Sequence, residues 1–408
     1  MKYGCIGEHL KHSFSKEIHG ALSDYEYEIR EIPKDGIDAF MSAADFLAIN
    51  VTIPYKETVI PYLDHIDEFA RAIGAVNTVV KRDGGLYGYN TDFYGMSALI
   101  ERYGIKIDGK KVAILGSGGT AKTAFAVSSA LGAKEIIKVS RTPSDVAVSY
   151  DELYEKHADV EVIINTTPVG MYPNVYNSPV DLSKFDKLCG VVDAIYNPLR
   201  TCLVSEAMKR GIPAAGGLYM LVAQGVRASE IFLDKEYDEG ALERVYSSSM
   251  RDKENIVLIG MPASGKSTVG ALLAKELGRE FIDTDGLIVS LAGMSIPEIF
   301  EKQGEAAFRE IECVAVRLAS AKTGCIIATG GGAPMRQENV DALRQNGRLY
   351  FLDRPLSALL PTEDRPLARS VEDVKRLYAQ RYEIYKRCAD VKIDAAATPE
   401  EIVKEIIK

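Results

Sequence analysis

Residues 260–268 read GMPASGKST, and the spacing G-x-x-x-x-G-K-[ST] falls on Gly260, Gly265, Lys266 and Ser267. In such a turn the backbone N–H groups, here running through Ala263, Ser264 and Thr268, wrap a β-phosphate. The lysine reaches the β/γ oxygens and the serine hydroxyl ligates Mg²⁺, so the chemistry is phosphoryl transfer from ATP. A second turn of another kind precedes it, GSGGTA at 116–121. Gly116, Gly118, Gly119 and Ala121 fit G-x-G-x-x-G/A around Thr120. Glycines there let the backbone approach a dinucleotide pyrophosphate at a helix N-terminus. An ordinary strand-to-helix turn is the plainer alternative. Further on, VSRT (139–142) sets Arg141 between Ser140 and Thr142. An NAD site puts an acidic residue at that point, whereas a guanidinium suits a 2′-phosphate. NADP(H) is therefore expected over NAD, against the alternative of a solvated surface arginine.

Three more stretches lie beyond the phosphate turn. FIDTD (281–285) places Asp283 and Asp285 two residues apart at a strand end, hence on one face. One can support the metal shell, the other can accept a hydroxyl proton. AFREIE carries Arg309 on a helical pattern, and IIATGGGAP (326–334) ends an apolar run in three glycines whose N–H groups form an anion cup. A guanidinium near such a cup suggests a substrate carboxylate. In residues 1–95, KHSFSK, NVTIPYK, GAVNTVV and YNTDFYG each put small polar or ionisable groups at the end of an apolar stretch. Any one of these stretches read alone is a capped loop or a solvated charge.

The elements that must position these groups alternate. Strands are predicted at 111–115, 135–140, 161–166 and 189–194, then at 255–259, 325–329, 348–352 and 390–394, with helical patterns between. Short apolar runs of this kind are strands buried on both faces of a parallel sheet, so the class is α/β. The polar stretch 247–254 reads as a linker, with a softer boundary near 102–110. The 408 residues, 47% of them hydrophobic, suffice for several cores. A net charge of −9 argues against a nucleic-acid or membrane-surface binder. The six cysteines show no zinc or disulfide spacing. MKYGCIGEHL lacks the apolar core of a secretory signal, and no uncharged run reaches the ~18 residues that span a bilayer. A cytoplasmic protein with reduced thiols is expected.

Residues 1 to about 245 resemble shikimate dehydrogenase. The match runs through Ser13 and Ser15, N-V-T-x-P-x-K from Asn50 to Lys56, and Asn77 with Thr78. It continues with Asn90, Asp92 and Gly95, the coenzyme turn, Arg141–Thr142, and then NTTPVGM, DAIYNPLRT and GGLYMLVAQ. The resemblance implies NADPH-dependent reduction of 3-dehydroshikimate to shikimate. It casts Lys56 and Asp92 as the acid/base pair, Ser13 and Ser15 as carboxylate ligands, and Thr52, Asn77, Gln224 and Tyr196 as substrate contacts. Gly217 would border the coenzyme. Residues 254–408 resemble shikimate kinase through Asp283 and Asp285, Phe308–Arg309 with Glu312, Gly330 to Gly332, Arg365–Pro366–Leu367, and Arg381. That resemblance implies Asp285 as hydroxyl-binding base, with Arg309, Arg381 and Gly331 on the carboxylate. Arg365 would stabilise phosphoryl charge from a lid, and Ser267 with Asp283 would hold Mg²⁺.

The implied architecture is a substrate domain (1–102 plus about 217–246), a Rossmann-like NADP domain (103–216), and a P-loop kinase domain with a parallel central sheet (255–408). The favoured reading is a bifunctional enzyme. A single active module with a ligand-binding companion, or a dehydrogenase that also takes quinate, are the alternatives.

Overall fold

The computed structural model describes every residue except 9, 11–13 and 361–369. The chain forms two compact units, Met1–Met250 and Arg251–Lys408.

The first unit begins with a mixed sheet built from β1 (Tyr3–Gly7), β2 (Tyr27–Glu31), β3 (Ala48–Val51), β4 (His65–Ile66), β5 (Thr78–Arg82) and β6 (Gly85–Tyr89). Their order is β2-β1-β3-β5-β6-β4. β1 pairs in parallel with β2 and β3, while β3–β5 and β5–β6 are antiparallel. The β5–β6 hairpin turns through Asp83 (φ 50°) and Gly84 (φ 81°), the two positive-φ positions that an Asp-Gly pair supplies. β3 is buried along its whole length, so its carboxyl end is a firm base for the segment 52–56 that leaves it. After β6, the Asn90 side chain caps the helix Thr91–Arg102 by accepting from the Phe93 N–H. That helix runs against the helix Leu218–Leu233, and Gly95 makes the close approach: a Cβ there would lie 2.6 Å from the Met220 carbonyl.

The second sheet of this unit is wholly parallel. It contains β7 (Lys111–Leu115), β8 (Glu135–Val139), β9 (Val162–Asn165), β10 (Gly190–Asp193) and β11 (Ala214–Ala215), in the order β11-β10-β9-β7-β8. Chain direction across the sheet reverses at β7, and the crevice at such a switch point is where doubly wound sheets take ligands. Val112, Ile114, Val162 and Ile164 pack there with Ala121 and Ala124 of the helix Gly119–Ala130.

The second unit has one parallel sheet of β12 (Asn255–Ile259), β13 (Phe281–Asp283), β14 (Ile326–Ala328), β15 (Gly347–Asp353) and β16 (Val391–Asp394), ordered β13-β14-β12-β15-β16. Val257, Ile259, Ile327, Leu349 and Phe351 form its core with residues of the flanking helices.

The stretch 247–254 is not an irregular linker: the helix Ala241–Lys253 runs through most of it. Buried Ala241 and Val245, four residues apart, anchor that helix upstream of the serines, and Met250 beyond them packs against the same core as Val245. Among the described residues no helix is long and apolar enough to cross a membrane.

Candidate active sites

In the first unit Lys56 and Asp92 meet. Lys56 Nζ donates to Asp92 Oδ2 at 2.5 Å, and both side chains are largely buried. Asp92 sits in the first turn of the helix Thr91–Arg102, where the partial positive charge of the N-terminus favours a carboxylate. Beside the pair, Asn77 Nδ2 donates to Thr91 Oγ1 (3.1 Å) and Gln224 Oε1 (3.3 Å), while its Oδ1 accepts from the Thr91 N–H (2.8 Å). The backbone joins the two groups, because the Val76 N–H donates to the Lys56 carbonyl. Below them Asn50 accepts from the Tyr27 hydroxyl at 2.7 Å and donates to Thr78 Oγ1. The result is a cluster of a cation, a carboxylate and several amide and hydroxyl groups, suited to a small polyhydroxylated ligand.

The glycine turn reaches this cluster. Gly116 follows β7 with φ 118°, and a Cβ on it would meet Thr166 Oγ1 at 2.6 Å. Gly118 caps the helix Gly119–Ala130, and no atom lies within 4 Å of a Cβ placed on it. A pyrophosphate therefore fits over the turn, with Thr120 and Ala121 in the first helical residues. A Cβ on Gly119 would stand 3.5 Å from Lys56 Cδ, so the turn and the lysine are neighbours. Gly217 precedes the helix Leu218–Leu233, and a side chain there would strike the Ala194 carbonyl at 2.2 Å. Ser140, Arg141 and Thr142 follow β8, with Arg141 exposed; the Thr142 N–H donates to Ser140 Oγ. Tyr150 lies close enough for the Arg141 charge to oppose the rise that burial imposes on its hydroxyl pKa.

In the second unit the phosphate turn follows β12. Gly260 (φ 147°), Ala263 (φ 64°) and Gly265 (φ 94°) all hold positive φ. At Ala263 that conformation is strained, the kind of backbone found at ligand clamps. Lys266 opens the helix Lys266–Leu277, and its Nζ donates to the Gly260 (3.0 Å) and Met261 (2.9 Å) carbonyls. Ser267 Oγ donates to Asp283 Oδ2 at 2.7 Å. A hydroxyl beside a carboxylate, with phosphate oxygens and waters for the remaining positions, fits Mg²⁺. Pro262 to Thr268, Asp283, Asp285, Arg309, Gly330 to Gly332 and Arg381 line one cavity of about 400 Å³. Arg309 donates to Glu312 Oε2 (2.8 Å) and Glu305 Oε1 (3.0 Å). Its Nη1 lies 2.0 Å from where Gly332 would carry a Cβ, so a side chain there would displace the guanidinium from this position. Burial raises the Glu312 carboxyl pKa, with the Arg309 charge acting against the rise. Tyr385, pushed up to about 12 by burial, donates from its hydroxyl to the Gly331 carbonyl at 2.5 Å.

Two details depart from the sequence reading. β13 stops at Asp283, so Asp285 is not its strand neighbour but lies in the first turn of the helix Thr284–Ala292, which Asp283 caps. The cap wins because an Asp side chain satisfies the Asp285 N–H, at 2.9 Å, better than a further strand residue would. The Gly330 N–H is taken by Thr284 Oγ1 at 2.9 Å, so it does not join an anion cup; Gly331 and Gly332 still line the cavity. Ser15 is the first residue of the helix Ser15–Leu22. Tyr196, its hydroxyl pKa raised to about 12 by burial, packs on Phe14 beside it. Thr52 leaves β3 against Gly7, its N–H donating to the Ile6 carbonyl. Ser13 and Arg365 lie outside the described residues. Thr284, Tyr385 and Arg354 were not singled out from the sequence. Arg354 immediately follows β15, at the carboxyl edge of the sheet, the place that would have flagged it.

Comparison with known proteins matches residues 5–79 to the shikimate dehydrogenase substrate binding domain and residues 262–408 to shikimate kinase. A shikimate dehydrogenase (NADP(+)) of Clostridium perfringens is 39% identical over 262 residues, covering 60% of this chain and 96% of that protein. Among solved structures, shikimate dehydrogenase 1 from Peptoclostridium difficile is 35% identical, with a TM-score of 0.57, over 61% of this chain and 98% of that one. The Thermus thermophilus shikimate 5-dehydrogenase in complex with NADP(H) and shikimate is 27% identical, with a TM-score of 0.55, over 61% of this chain and 99% of that one.

Proposed function

The chain belongs to the shikimate dehydrogenase family through its first unit and carries a shikimate kinase domain in its second, and from this premise we propose how its residues divide two consecutive reactions. The protein is a bifunctional enzyme: NADPH-dependent reduction of 3-dehydroshikimate to shikimate, then MgATP-dependent phosphorylation of shikimate.

For the reduction, bound NADPH supplies the hydride. The residues of this chain position the ring and move one proton. The neighbourhood of Lys56 and Gly119 carries the reading, because it sets the proton-transferring group beside the dinucleotide turn. Lys56 gives its proton to the carbonyl oxygen as that oxygen gains charge, and Asp92, 2.5 Å away, keeps the ammonium oriented. Asn77 and Gln224 hold ring hydroxyls. Ser15 reaches the carboxylate, with Tyr196 packed behind it. Arg141, between Ser140 and Thr142, takes the 2′-phosphate.

For the phosphorylation, the shared cavity carries the reading: the phosphate turn and the acid–arginine cluster face one space. Arg309, Arg381 and the Gly331 backbone hold the carboxylate. Asp285 accepts the hydroxyl proton, and Lys266 neutralises phosphate charge. Ser267 and Asp283 hold Mg²⁺, which supplies charge neutralisation when bound. The six cysteines, none of them joined in a disulfide, suit a reducing compartment, and we place the enzyme in the cytoplasm.

The test is a pair of assays on purified protein. Shikimate with NADP should yield NADPH, and shikimate with MgATP should yield ADP. Lys56→Ala should lower only the first activity, by about 10²–10⁴-fold. Lys266→Ala should lower only the second, by about 10²–10³-fold. Loss of both activities from either substitution would refute the division of labour.

A further inference from the structure

Arg354 follows Asp353, the last residue of β15. β15 lies between β12 and β16, so Arg354 emerges next to the phosphate turn that leaves β12. It lines the same cavity as Lys266 and Asp285. Its Nη1 lies 4.0 Å from where Gly265 would carry a Cβ, which puts the guanidinium over the backbone of the turn. Its Nε is buried and finds no acceptor among the described residues.

The adjacent carboxylate does not neutralise this cation. Asp353 Oδ2 is engaged by Lys392 Nζ at 2.7 Å and by the Tyr382 hydroxyl at 3.1 Å. Arg309, in the same cavity, is paired with Glu305 and Glu312 instead. A guanidinium is charged at every accessible pH, and a buried donor without an acceptor is unfavourable until something accepts from it. An anion lying along the phosphate turn would meet Lys266 from one end and the Arg354 fork from the side.

We infer that Arg354 is a nucleotide-binding residue of the kinase centre, holding the phosphate chain as a fixed cation beside the P-loop. The inference rests on the kinase reading above. Arg354 is set at a strand end, so its charge is in place before the nucleotide arrives. Such a group binds substrate and product nucleotide alike, and uniform binding lowers KM without raising kcat. It therefore acts on affinity, in contrast to Asp285.

The full-length chain is titrated with ADP and with tripolyphosphate by calorimetry, and ATP kinetics are measured for Arg354→Gln and Arg354→Lys. Arg354→Gln should weaken ADP and tripolyphosphate by the same factor, about 10–100-fold, the worth of a hydrogen bond to a charged group. KM for MgATP should rise by a similar factor, with kcat changed by less than about threefold. Arg354→Lys should recover part of the affinity, since it keeps the charge and loses the fork. Without nucleotide, Arg354→Gln should unfold no earlier than the wild type, because it removes an unpaired donor; a purely structural arginine would lower Tm. Three results would each overturn the inference: ADP affinity within twofold of wild type, a rise confined to the KM of shikimate, or a lowered Tm with unchanged ADP binding. Failure of the wild-type protein to bind ADP would instead overturn the kinase reading itself.

Discussion

At the scale of single residues, the reactive groups stand on buried polar supports, and one support titrates. His19 is 1% exposed; its ring stacks on Tyr27 at 4.0 Å, and Nδ1 lies 2.5 Å from the Tyr25 hydroxyl. Tyr25 passes the chain to Ser229, and Tyr27 donates to Asn50 at the start of the segment that ends in Lys56. Burial holds the imidazole neutral and lowers its pKa from 6.5 to about 3. The unfolded chain protonates His19 below about pH 6.5, but the folded chain does not until pH 3. Stability from this residue is therefore complete above pH 6.5 and falls as the pH drops toward 3. One proton corresponds to about 1.4 kcal/mol per pH unit in that window. Urea unfolding of wild type and His19→Gln across the window should give a shallower pH slope for the variant; equal slopes would remove His19 from the account. Residue identity alone revealed less of this chain than of the two phosphate turns. Gly260, Gly265 and Gly116 hold backbone angles that glycine favours, so their spacing signals a conformation directly. A histidine or an arginine signals nothing until its neighbours are known, which is why His19 and Arg354 stayed unread.

At the scale of elements, catalytic positions depend on how closely helices approach. Gly95 brings the helix bearing Asp92 onto the helix bearing Gln224. Alanine at a helical glycine gains about 1 kcal/mol of propensity. Here its methyl would stand 2.6 Å from the Met220 carbonyl and 3.1 Å from Gln224 Cβ. Overpacking costs about 1–3 kcal/mol, and a backbone oxygen cannot rotate away, so the clash wins. Gly95→Ala should lower Tm by up to about 8 °C and raise the KM of shikimate in the dehydrogenase assay. A Tm at or above that of the wild type would show that the two helices can separate without cost. Elements were legible where one period governs the pattern. The predicted strands at 111–115 and 255–259 coincide with β7 and β12, because both are apolar runs inside parallel sheets. The mixed sheet of residues 3–89 was not resolved strand by strand: β4 has only two residues, and β6 reads GLYGY with two glycines. The stretch 247–254 reads as a linker in the sequence because three consecutive serines interrupt the apolar spacing of the helix Ala241–Lys253, which resumes only at Met250.

At the scale of the whole molecule, the question is what one chain gains from two centres. The first releases shikimate and the second consumes it. A tether raises the concentration of two sites for each other, to roughly the millimolar range with short linkers. It gives a small diffusing product no such advantage, because that product is bound to neither site in transit. The fusion is therefore expected to fix the ratio of the two activities and to leave the intermediate in solution. Lys56→Ala chains mixed with an equal amount of Lys266→Ala chains restore one working centre of each kind on separate molecules. With each variant at the concentration of the wild-type control, the lag before phosphorylated product accumulates should match that of the wild type, since the working kinase concentration is the same. Excess added shikimate should also dilute isotope from labelled 3-dehydroshikimate equally in both samples. A shorter lag or a protected label in the wild type alone would show direct transfer between the centres, and the fusion would then need an explanation beyond stoichiometry.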